Sequence, residues 1–215
     1  MILKNSKVLY MKKLLCAVIC LLFILAACSE GAAEKIDDRP MDDALITIDG
    51  KTVLTVQEYN NFVIENEISH ELNGSDLLSE EELFKTQAEY TCAAFLSELF
   101  DVQADLDEMY LEYDDTISEL NSNLDTKALE YNAKLRNALG MTEKEFRDWC
   151  ANYSYIRTSA NNLIEDISLS YAYITNGEAM AEEIIMNLRQ MLNDYGFECS
   201  LDGYTDYIPD FNNIV

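Results

Sequence analysis

The chain has 215 residues, a formal net charge of -25 at neutral pH, seven glycines and only two prolines. Average usage would supply about 26 glycines plus prolines at this length, so the shortage argues against an all-β sandwich or barrel and against Gly-rich nucleotide loops. Fifteen basic residues against 40 acidic ones repel phosphate backbones, which argues against a nucleic-acid partner. A single histidine, His70, leaves no multi-histidine metal site, and no serine or cysteine motif stands near it. With 49% hydrophobic residues and 13 tyrosines, the chain still has the means to bury a core.

Taken in chain order, Lys12 and Lys13 precede an apolar run from Leu14 to Ala27. This is a positive region followed by an apolar stretch of signal-peptide length, short for a membrane span. It ends in Leu25-Ala26-Ala27-Cys28, which resembles a bacterial lipobox. That resemblance implies cleavage between Ala27 and Cys28 and a diacylglycerol on the Cys28 thiol. A plain secretory signal, or an anchor helix with an incidental cysteine, is the competing reading. Met11, followed by two lysines, is a more natural start than Met1. Residues 1–27 are thus expected as a lipoprotein signal peptide. Their removal takes away four lysines (Lys4, Lys7, Lys12 and Lys13) and no acid, leaving a more acidic body that an anionic membrane surface repels.

Residues 28–43 are small, polar and acidic, and read as a flexible tether. Asp37, Asp38, Asp42 and Asp43 lack the glycine and terminal glutamate of an EF-hand loop, so they read as solvated. Ala44 to Thr55 predicts a β-hairpin turning at Asp49-Gly50. Thr55-x-x-Glu58 then opens a helix, Asn73-Gly74 ends it, and Ser79-x-x-Glu82 opens the next. Asp105 starts the longest periodic stretch, with Leu106, Tyr110, Tyr113, Ile117, Leu120, Leu124, Ala128, Tyr131 and Leu135 at steps of three and four. One helix over 105–139 would be roughly 50 Å long. Gly140 closes it and Thr142-x-x-Glu145 opens a partner helix bearing Phe146, Trp149, Tyr153 and Ile156. Residues 168–175 fit a strand or a helix end, 178–195 predict a further amphipathic helix, and the tail can add a strand beside the hairpin. The expected fold class is mainly α, an elongated helical domain with a long helical hairpin and a small N-terminal β-hairpin.

Two stretches resemble the SurA/PrsA/trigger-factor group of chaperones. The first is Ile48-Asp49-Gly50-Lys51-Thr52-Val53-Leu54-Thr55 leading into Glu58-Tyr59. The second is Leu139-Gly140-Met141-Thr142-Glu143-Lys144-Glu145-Phe146-Arg147. The resemblance spans 44–167 and implies a helical chaperone domain that binds unfolded or secreted polypeptides outside the membrane. Many members of that group carry a parvulin prolyl-isomerase domain. Ser170 to Ile174 followed by the helix from Glu178 is similar to the start of one, so 168–215 reads as a C-terminal helix and tail, possible remnant of a parvulin or chance patterning. Tyr173 stands where parvulins place a histidine.

Such a chaperone needs no catalytic residue, cofactor or metal, and none is expected here. Its clients would meet amphipathic side chains, and Tyr110, Tyr113, Tyr131, Tyr153 and Tyr155 are the candidates. Core packing is the competing role for each, and for Phe146 and Trp149. Asp101 to Asp125 holds nine acids and no basic residue, either a docking face for basic client segments or a solvated helix face. Cys92, Cys150 and Cys199 lack C-x-x-C spacing, which argues against zinc and redox motifs. Cys92 and Cys150 read as core residues on helices, with one disulfide among the three left open. A truncated parvulin-type isomerase and an adaptor binding one partner through its helical arm are the alternative functions.

Overall fold

A computed structural model describes residues 39–201 and 204–215, and these form six helices and three strands. Residues 1–38, with the expected signal peptide, Ala27, Cys28 and most of the expected tether, lie outside the described residues. Strands β1 (Ala44–Ile48) and β2 (Lys51–Thr55) make the expected hairpin. Asp49 and Gly50 both take left-handed backbone (φ 53° and 68°), as a two-residue turn of the favoured twist requires. Strand β3 (Phe197–Cys199) pairs antiparallel with β1, giving the order β2-β1-β3. The tail therefore completes the sheet, and β1, with Leu45, Ile46 and Ile48 buried, is its centre.

Helix α1 (Val56–Asn73) starts on the Thr55–Glu58 capping box and stops at Gly74 in left-handed conformation. Helix α2 (Glu80–Leu99) starts on the Ser79–Glu82 box. Helix α5 (Glu143–Ser170) starts on the Thr142–Glu145 box. In each, the threonine or serine satisfies an orphan N–H while the glutamate returns to the cap's own N–H.

The expected single helix over 105–139 is two helices, α3 (Leu106–Asn123) and α4 (Thr126–Ala138). Leu124 turns left-handed (φ 51°), and Asp125 caps α4 by accepting from the Ala128 N–H at 3.1 Å. The cause is local. Asn121 Nδ2 and Ser122 Oγ bond back to the carbonyls of Ile117 and Ser118, both at 2.8 Å. Such side chains compete with the helix backbone and favour ends over interiors.

The break redirects the arm. Helix α3 lies along α5, joined by Arg147 to Asp114, whereas α4 packs on α1. The principal partner of α5 is α2 rather than the long stripe. Both bury small residues (Ala88, Ala93 and Ala94 on α2, Ala151 and Ala160 on α5), which permits close approach. Residues 168–175 resolve as the end of α5 and a turn, not a strand. Helix α6 (Gly177–Asp194) follows, capped by Asn176, and packs on α5 and α2.

The last part of the tether is docked rather than free. Arg39 donates to the Ala44 and Ser200 carbonyls, both at 2.8 Å, and lies 3.6 Å from Asp43. Met41 and Asp43 carbonyls accept from the first N–H groups of α1. The described residues form one compact unit.

Candidate client-binding surface

The five candidate tyrosines sit half-buried at three places along α5. Tyr131 on α4 donates to Glu65 on α1 at 3.0 Å, within an apolar cluster centred on Ile68, Leu135 and Phe146. Burial and the adjacent Glu65 carboxylate push its hydroxyl pKa up. Tyr153 belongs to an aromatic ladder. Its ring lies 5.6 Å from Trp149 and 5.3 Å from Phe62, and Phe146 stacks on Trp149 at 5.8 Å. The Arg157 guanidinium sits 4.6 Å from the ring centres of both Tyr153 and Tyr90. Burial raises the Tyr153 hydroxyl to about 12.

Tyr110 and Tyr113 lie on the face of α3 toward α5. Arg147 covers the Tyr110 ring at 4.5 Å while its two nitrogens grip Asp114, each at 2.7 Å. That guanidinium holds the Asp114 carboxyl below its ordinary range. Tyr155 donates to Glu98 at the end of α2 at 2.8 Å, and burial with this bond raises it to about 12. Tyr131 and Tyr153 thus share a neighbourhood around Glu65. The other three stand apart from it. Tyr110, Tyr131, Tyr153 and Tyr155 each have one edge committed to holding helices together, and all five retain partial exposure.

The strongly exposed apolar side chains are different ones. Leu77, Leu111, Leu124, Leu169, Tyr173 and Met186 are all more than half exposed, Leu124 at 77% and Tyr173 at 76%. They are distributed over the loop before α2, the outer side of α3, the α3–α4 break, the end of α5 and α6. The periodicity places Leu124 on a core-facing stripe and says nothing of Leu77, Leu169 and Tyr173. Leu111 and Met186, which sit off the apolar stripes of their helices, carry the signal.

A buried acid with a half-exposed carboxyl against it also emerges. Glu89 on α2 is fully buried, and its carboxyl accepts from the Asn213 N–H at 2.9 Å and from Asn213 Nδ2 at 3.0 Å. The Asp210 carboxyl hydrogen-bonds it as well. Burial, helped by Asp210, pushes Glu89 up to about 8, whereas Asp210 is lowered by its bonds to Glu89 and Asn212. The sequence signal was an acid three and four residues before Cys92 and Ala93, on the apolar face of its helix.

The three described cysteines are free. Cys92 is fully buried on α2, and burial drives its thiol far up; half-buried Cys150 on α5 is raised to about 12. Neutral thiols of this kind are poor nucleophiles. His70 Nδ1 donates to the Ser75 carbonyl at 2.6 Å, bridging the Gly74 turn after α1. Among the described residues, no group of three or more His, Cys, Asp or Glu side chains is arranged to hold a metal ion. No helix among them is long and apolar enough to cross a membrane. No family model, curated protein or solved structure matches the chain.

Proposed function

We propose that the protein is a membrane-anchored, extracytoplasmic, chaperone-like protein that holds unfolded or secreted polypeptides without catalysis. The observation that carries this reading is the set of large apolar side chains exposed over a strongly acidic helical body. An unfolded client exposes apolar segments, and many weak contacts to separated leucine, methionine and tyrosine side chains hold it without one fixed pose. The acidic surface around them keeps the complex soluble by repulsion between copies. The Leu25-Ala26-Ala27-Cys28 lipobox supplies the anchor, through diacylglycerol on Cys28, at the outer face of the bacterial cell membrane.

The test uses residues 29–215, which contain the whole compact unit. They are added to an unfolded, aggregation-prone client while light scattering is followed. Suppression at near-stoichiometric amounts is expected, with no acceleration of proline-limited refolding of a second client. Replacing Leu111, Leu169 and Met186 together by serine should weaken suppression without lowering the melting temperature. Full scattering in the presence of the native chain would sink the reading. Acceleration of the proline-limited phase would replace it with the isomerase alternative.

A further inference from the structure

The segment 204–215 folds back onto α2 and is held there by mixed contacts. The Tyr204 and Tyr207 rings lie 4.6 and 5.9 Å from Phe84, and Phe211 is fully buried in left-handed backbone (φ 59°). Asn213 and Asp210 close on the Glu89 carboxyl. A hydrogen bond between two carboxyl groups requires one proton between them. With that proton, Glu89 is a neutral acid donating to the Asp210 carboxylate, and its own oxygens serve Asn213. Without it, a buried carboxylate faces a second carboxylate.

The two Asn213 donors are the relief the second state has, and no cation among the described residues is paired with Glu89 to add to them. Cys92 lies one turn along α2, and Tyr207 and Tyr204 come from the segment itself. Lys85, one turn earlier on α2, faces Asp210 but is drawn to Glu81 at 2.5 Å. On α6, Glu182 and Arg189 line the shallow groove that Asp210 also borders. Neither supplies a contact to Glu89.

We propose that residues 204–215 form a proton-locked clasp on α2, closed while Glu89 and Asp210 share a proton and released when that proton passes to solvent base. Release frees Phe211 and uncovers Phe84, adding buried aromatic surface to what the molecule exposes.

The test is a pH titration of the full chain in detergent micelles, with methyl-labelled isoleucines read by NMR from about pH 6 to about pH 10. Ile208 and Ile214 report on the clasp, and Ile46 and Ile48 on the sheet. The clasp methyls should move to unfolded-chain shifts as pH rises toward about 8, the raised value of Glu89 in the closed state, while Ile46 and Ile48 hold. Glu89→Gln keeps a donor toward Asp210 without a titrating proton, so its clasp should stay closed across the range. Asp210→Asn provides an amide that donates to ionised Glu89, so it too should abolish the transition. Clasp methyls that stay fixed up to about pH 10 in the native chain would overturn the proposal. So would opening of both variants at the native midpoint, or movement of Ile46 and Ile48 together with the tail.

Discussion

Tyr131 and Tyr173 place the same side chain in opposite situations. The first is packed beside Leu135 and donates to Glu65, and the second projects into water at the turn after α5. Tyr131→Phe should cost about 1 kcal/mol in urea unfolding, the net worth of one hydrogen bond. Tyr173→Phe should change stability by less than about 0.5 kcal/mol. Equal effects would show that the Glu65 bond contributes nothing. Phe146→Ala empties the middle of the cluster with Ile68 and Leu135 and should cost about 3–5 kcal/mol. Glu89 gives the sign of the pH dependence. Its folded value of about 8 stands above the ordinary 4.5. Its contribution is therefore fully present below about pH 4.5 and is lost as pH rises through about 8. Asp210, lowered from 3.8, acts oppositely, its contribution present above that value and lost as pH falls through its lowered one. Stability of the native chain, followed by urea midpoints, should thus fall between mildly acidic and mildly alkaline pH, and Glu89→Gln should flatten that fall.

At the level of elements, the break between α3 and α4 is the clearest departure from the periodicity. Leu124 continues the apolar stripe by spacing, yet it is exposed and left-handed. An L-residue there is strained by about 1–2 kcal/mol, whereas glycine accepts the conformation at a smaller entropic cost. Leu124→Gly should raise thermal stability by about 0.5 kcal/mol, while Asp125→Ala should lower it by about 1 kcal/mol through loss of the α4 cap. A fall in the melting temperature of Leu124→Gly would reveal packing that the geometry does not contain. Starts and stops that depend on one to four adjacent residues were legible: three capping boxes, the Asp49-Gly50 turn and Gly74. The break was legible too, in Asn121-Ser122-Asn123 ahead of Asp125, but the stripe of apolar residues outweighed it. The pairing of α2 with α5 and the clasp on Glu89 were not legible. They rest on contacts between distant stretches, Asn213 reaching Glu89 across 124 positions, for which no local pattern exists. The candidate tyrosines were chosen for chemistry alone, and spacing did not reveal which edges would be occupied by neighbours.

For the whole molecule, a net charge of -25 sets the background against which every helix packs. Raising NaCl from about 0.02 M to about 0.5 M shortens the Debye length several-fold and screens that repulsion. The melting temperature should therefore rise with salt. A fall would mean that the few surface ion pairs, Lys85 to Glu81 and Arg147 to Asp114 among them, outweigh the excess of acids. The sheet order β2-β1-β3 carries a last consequence, for the timing of folding. β1 is the central strand, and one of its two neighbours comes from far along the chain, Ser200 bonding the Leu45 carbonyl over 155 positions. Helices can form as the chain emerges, since each is local. The middle strand must wait with one edge bare until residues near 200 have been made, and bare strand edges invite pairing with other chains. For most of its synthesis the chain is thus an unfinished polypeptide with its central strand half-paired.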